Sequence, residues 1–252
     1  MNSILFTLIT LCFLSAQTTE LELSFLSKTK SSPFWFTSNK YGFNPNHSFA
    51  SLSHLSKGRN FKSYMYRFGI GINLNYRNFF FENNEVFFEL KHKKLALNLG
   101  KFHSKVNSSS ISTGSLVEGP NAFPISKILV SIPDFSQFKF LNFTFFAKGE
   151  FAHGWMNKES YVKAPFLHQK SLTIKKDLQK NSNFQFGLKH MVLWAGETKQ
   201  HGKQPSGLDD FFRVVFALKG GKNSIYQEQK NSLGNHLGAW SFKYEKIYDN
   251  KI

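Results

Sequence analysis

Catalysis needs a nucleophile, an acid–base pair or a set of metal ligands held at short spacing. His92, His103, His153, His168, His190, His201 and His236 are instead spread along the chain, with no H-E-x-x-H or other short ligand pattern. No G-x-S-x-G elbow is present. Gly69-Ile70-Gly71 falls inside an alternating run, where glycine relieves crowding or permits a bend and does not cradle a phosphate. The chemistry left is noncovalent. Phe34-Trp35-Phe36, Trp155 and Trp194 stand beside polar residues and glycine. Such rings stack on the C–H faces of sugars, and they equally suit the aromatic girdle of a membrane interface. Arg67, Asn73, Arg77, Asn98, Lys101, Lys148, Glu150 and Lys189 all fall on polar faces of alternating segments. They suit either a solvated, ion-paired lumen or a basic mouth that attracts an anionic glycan. We expect no enzyme activity, no cofactor and no metal.

These side chains must be positioned by strands. Ser63 to Arg77 places Tyr64, Tyr66, Phe68, Ile70, Ile72, Leu74 and Tyr76 on one face, with Arg67, Gly69, Gly71, Asn73 and Asn75 on the other. Alternation of this length exceeds an ordinary globular strand. Aromatics at both ends with aliphatics between match a lipid-facing strand flanked by girdles. Further strands are expected at Glu20–Leu26, Pro33–Thr37, Glu85–Lys93, Lys94–Phe102, Leu141–Glu150, Leu167–Lys175, Asn183–Met191 and around Trp240–Glu245, with a turn near His92-Lys93-Lys94. The count is about nine strands by this period-two reading. One segment breaks the period. Leu208, Phe211, Phe212, Val215 and Phe216 have helical spacing, so an amphipathic helix is expected near 207–219. Ser206 and Asp209 would cap it and Gly220-Gly221 would stop it. Asn107–Pro133, rich in Ser, Gly and Pro, reads as a long surface loop.

Ile4–Leu14 is apolar, too short to span a bilayer as a helix, and followed by small Ser15-Ala16. Residues 1–16 therefore read as a signal peptide and 17–252 as the exported domain, although Lys and Arg are missing before the apolar run. Cys12 is the single cysteine. It falls in the removed segment, so the exported chain would hold no disulfide and no thiolate. No other segment has 18 consecutive apolar residues, so a membrane-embedded form must be a barrel. The chain carries 30 Phe, yet its mean hydropathy is only -0.32. A net charge of +16 suits an anionic partner such as lipopolysaccharide or an acidic polysaccharide. Nucleic-acid modules concentrate their basic residues, whereas the lysines here are scattered, so a nucleic-acid partner is not expected.

Five strings occur in order: Ser32-Pro-Phe-Trp-Phe-Thr-Ser-Asn39-Lys-Tyr-Gly42, Gly114-Ser-Leu-Val-Glu-Gly-Pro-Asn-Ala-Phe-Pro-Ile-Ser-Lys127, Lys148-Gly-Glu-Phe-Ala-His-Gly-Trp155, His168-Gln-Lys-Ser-Leu172 and Gly234-Asn-His-Leu-Gly238. Together they resemble the Wzi-type capsule assembly family, over nearly the whole exported chain. Met191-Val-Leu-Trp-Ala-Gly196 is similar to the family's Trp-Gly-Gly region, with Ala195 replacing the first glycine. The resemblance implies an antiparallel outer-membrane β-barrel, lectin-like and non-enzymatic, that organises or attaches capsular polysaccharide at the bacterial surface. Family members are usually much longer, and some carry an N-terminal helical bundle that is not evident here. The strands read here make about half of such a barrel. A truncated chain is therefore expected, or one that closes a barrel with a second copy. The candidate polysaccharide-binding residues are Glu118, Asn121 and Lys127 with Trp155 and Trp194. Outer-membrane lipids and lipopolysaccharide would be the other partners. A channel for anionic solutes is the alternative, and an outer-membrane hydrolase a more distant one.

Overall fold

The computed structural model describes residues 18–27, 49–61, 63–75, 80–103, 115–119, 121–156, 162–178 and 181–247. The expected signal peptide, the Pro33–Thr37 strand and its Phe34-Trp35-Phe36 triplet lie outside the described residues. The chain divides into two units, one of residues 1–93 and 97–126, the other of 94–96 and 127–252.

The first unit holds β1 (Thr18–Ser27), β2 (Phe49–Phe61), β3 (Tyr64–Asn75) and β4 (Phe80–His92), with most of β5 (Leu95–Lys101). They form an antiparallel meander in chain order. Lys93, with φ of 52°, turns the chain between β4 and β5, where the sequence places the hairpin. Register follows side-chain parity. Phe68 faces Phe88 and Ile70 faces Val86 on one side, while Arg67 pairs with Glu89, Gly69 with Phe87 and Gly71 with Glu85 on the other. A Cβ on Gly69 would overlap the Phe87 ring, so the glycine leaves room for that ring.

The second unit holds β6 (Ser126–Phe140), β7 (Phe143–Trp155), β8 (Phe166–Leu178) and β9 (Ser182–Trp194), followed by a two-residue ribbon, β10 (Glu197–Thr198) with β11 (Gly202–Lys203). Helices α1 (Leu208–Val215) and α2 (Tyr226–Lys230) lead to β12 (Asn235–Lys246), which pairs antiparallel with β9. The strand order here is β6-β7-β8-β9-β12. Among the described residues no strand pairing closes the sheet into a barrel. No helix among them is long and apolar enough to cross a membrane.

Several expectations need correction. Twelve strands stand among the described residues where about nine are expected in the whole chain, because β2 and β6 escape a search for strict alternation and the two-residue β10 and β11 are too short to show any. β2 runs through Lys57-Gly58-Arg59 and β6 contains Pro133 and Asp134, residues depleted in strands. The long loop accordingly ends before Ser126, not at Pro133. The helix is shorter than 207–219. Gly207, not Ser206, is its N-cap, and the Asp210 carboxylate accepts the Gly207 N–H at 2.9 Å. Its end is not set by Gly220-Gly221. Leu218 N–H donates to the Arg213 carbonyl at 2.7 Å and Ala217 N–H to Val214 at 3.3 Å, with Ala217 at φ of 54°. This is a Schellman closure with alanine where glycine is usual.

Candidate functional site

Strand register brings together residues that the sequence keeps far apart. Trp155 faces Phe166, which faces Trp194. One row in, His153 faces His168, His168 faces Val192, and Val192 faces His236. The next row on the same face carries Phe151, Lys170 and His190. Four histidines on β7, β8, β9 and β12 thus share one end of one sheet face.

Helix α1 covers this end. Its Phe211 ring packs edge-on against His153 at 5.3 Å and His168 at 5.8 Å, and lies 6.2 Å from Trp194. Val214 joins Val192, Trp194, Ala195 and Leu233 in one buried cluster. Lys170 Nζ donates to the Val215 carbonyl and ties the end of the helix to β8. His168 is fully enclosed. His236 Nε2–H donates to the Leu233 carbonyl at 2.9 Å, which leaves Nδ1 to accept from His190 Nε2 at 2.9 Å. Glu228 on α2 accepts the Gly234 N–H through Oε1 at 3.2 Å, and its Oε2 is buried without a partner. Burial pushes the Glu228 carboxyl above its ordinary value, against the opposing pull of the Gly234 amide and of His201 and His236.

Chemically, this nest is an aromatic box lined by imidazoles. Among the described residues no group of three or more His, Cys, Asp or Glu is placed to hold a metal ion. Trp155 is 43% exposed at its margin, with its ring at 87° to His153. Trp194 is only 4% exposed, so it forms part of the box floor and presents no face to a ligand. Of the other candidate residues, Glu118 and Asn121 belong to the first unit. The Glu118 backbone N–H donates to Ser115 Oγ at 3.2 Å, and Asn121 is exposed in a turn. Lys127 is buried near the start of β6 in the second unit. Within the second unit, Trp155 and Trp194 are brought to one place, with Phe166 between them. The histidine row was not anticipated. Its one trace in sequence is that each histidine continues the apolar parity of its strand, which shows a shared face only once the register is known.

The two faces of each unit differ sharply. In the first, Glu85 and Glu89 are 7% and 6% exposed, and Arg67 Nε lies 2.8 Å from Glu89 Oε2. The Glu85 carboxylate accepts the His103 N–H at 2.8 Å. The opposite face exposes Tyr64, Phe68, Val86 and Leu99. In the second, Lys189 Nζ stands 3.4 Å from Glu150 Oε1, and Gln185 Nε2 donates to Glu245 at 2.9 Å and to Asn183 at 3.0 Å. The face that carries the nest exposes Leu172, Leu188, Trp240 and Phe242 along the rest of its length, the last two at 63% and 69%.

No protein-family model, no curated protein and no solved structure matches this chain.

Proposed function

We propose that this chain spans the bacterial outer membrane with its strands and serves there in the surface assembly or attachment of capsular polysaccharide, as a lectin-like, non-enzymatic protein. One observation supports the membrane part above all. Among the described side chains, the strands of both units expose apolar residues on one face and pair charges on the other. In water that arrangement leaves large aromatics uncovered while desolvating carboxylates, a loss on both counts. In a bilayer both faces meet the surroundings they suit. An open sheet in lipid must have its edge groups paired, so this reading requires a further strand beside β12.

The capsule part rests on the ordered motifs that resemble Wzi-type proteins, on the +16 charge and on the exposure of Trp155. The test is genetic and direct. Deleting the gene is expected to release capsular polysaccharide from the cell surface into the medium, and equal retention with and without it overturns the reading. An anion channel is the second reading, favoured by the same positive charge. Against it, Arg67, Lys189, Lys175 and Lys243 each stand beside a carboxylate, which lowers the field they supply. Anion-selective conductance steps in a planar bilayer would favour the channel.

A further inference from the structure

Helix α1 has two apolar stripes where a helix packed on a sheet in water needs one. Phe211, Val214 and Val215 face the histidine and aromatic nest. Leu208, Phe212 and Phe216, at i, i+4 and i+8, form a second stripe, and all three are exposed. Leu218 extends it beyond the helix end and is exposed as well. Nothing among the described residues covers this stripe.

Its position says what can. α1 sits on the same sheet face that exposes Leu172, Leu188, Trp240 and Phe242, at the end of the strands marked by Trp155 and Trp194. Strand face and outer stripe therefore lie on the same side of the sheet, with the nest between them. The helix is bordered by exposed cations, Lys203 before it and Lys219 and Lys222 after it. Asp209 and Asp210 occupy its first turn, where they complement the helix dipole. A short helix with an apolar stripe and a cationic border, next to a lipid-facing wall, has the make-up of an interfacial helix.

We infer that α1 is a membrane-surface helix, lying in the headgroup plane of an anionic bilayer with Leu208, Phe212 and Phe216 in the acyl boundary and Lys203, Lys219 and Lys222 among lipid phosphates. The nest beneath is then the joint that fixes the helix to the strands at this level. Lys170 serves the joint by donating to the Val215 carbonyl at the helix end. The inference rests on the outer-membrane reading above, and one experiment separates the two.

The full chain, with Cys12→Ser, is reconstituted into vesicles of phosphatidylethanolamine and phosphatidylglycerol. Single cysteines replace Phe212, Phe242 or Gln185 in turn and carry an environment-sensitive fluorophore. Quenching is read from lipids spin-labelled at shallow or deep acyl positions. The label at 242 is expected to respond to the deep quencher, that at 212 to the shallow one, and that at 185 to neither. Replacing phosphatidylglycerol by phosphatidylcholine is expected to reduce quenching at 212 severalfold and leave 242 unchanged. Quenching at 242 with none at 212 overturns the interfacial helix and leaves the outer-membrane reading standing. No quenching at either position overturns both. Undiminished quenching at 212 without anionic lipid overturns the role of the lysines.

Discussion

Glu228 carries a half-buried carboxyl whose ionisation is disfavoured by burial, so its pKa in the folded chain lies above the ordinary 4.5. The sign of the consequence follows from linkage. Its contribution is fully present below the unfolded value and is lost as pH rises through the higher folded value. Amide exchange in α2 is therefore expected to quicken as pH rises across this window, after correction for intrinsic exchange, and Glu228→Gln is expected to remove that dependence. The same pH profile in the Glu228→Gln variant would refute the assignment. Ala217 offers a second test. A left-handed residue other than glycine is strained by about 1 kcal/mol, so Ala217→Gly should slow exchange of the Leu218 amide by several-fold. The two tryptophans should separate cleanly. Trp194→Ala opens the box floor and is expected to lose about 3–5 kcal/mol of stability, as large core truncations do. Trp155→Ala should leave the melting transition nearly unchanged and weaken binding to capsular polysaccharide in a pull-down.

At the scale of an element, β9 shows how period-two geometry divides labour. Leu188 faces Leu172 and Trp240 on the apolar side, while Gln185 lies on the polar side beside Glu245. Arginine at a lipid-facing strand position costs about 2–4 kcal/mol near the bilayer centre. Leu188→Arg is therefore expected to lower stability in vesicles by that amount, and Gln185→Arg to be tolerated because Glu245 remains its partner. Equal tolerance of both, measured by urea titration in lipid, would argue against a lipid-facing β9. Strands with clean alternation were legible in sequence: β3 and the turn at Lys93 lie within a few residues of expectation, while β12 begins five residues before the expected Trp240. β2 and β6 were not, because Lys, Gly, Pro and Asp within them interrupt the period, while pairing to neighbours holds the chain extended regardless. The helix was legible from its spacing, but its ends were set by backbone hydrogen bonds at Gly207 and Ala217 that no residue pattern announces.

For the whole molecule, the outer edge of β12 has no strand beside it among the described residues. A bilayer offers such groups no water. In the membrane-embedded chain, the β12 amides that do not bond β9 are expected to exchange as slowly as those that do. Rapid exchange there would place this edge in water. Of the candidate ligand residues in the second unit, the structure joins the two tryptophans in one place, and it makes Trp194 a packing residue. Lys127, read as a loop cation, is a buried strand residue. Burial is set by what lies opposite a side chain, and a single sequence holds no record of that.

By itself the sequence determined the secondary structure that periodicity can encode: long two-faced strands, one amphipathic helix, and a chemistry without short catalytic or metal-binding patterns. Parity along a strand is a local property, so it survives in the order of residues. The tertiary structure decided which face is open and which is enclosed, and it gathered His153, His168, His190 and His236 at one end of one sheet face. These are matters of register between strands and of where a helix comes to rest. They depend on pairings between residues tens of positions apart, and so they emerge only when the chain is folded.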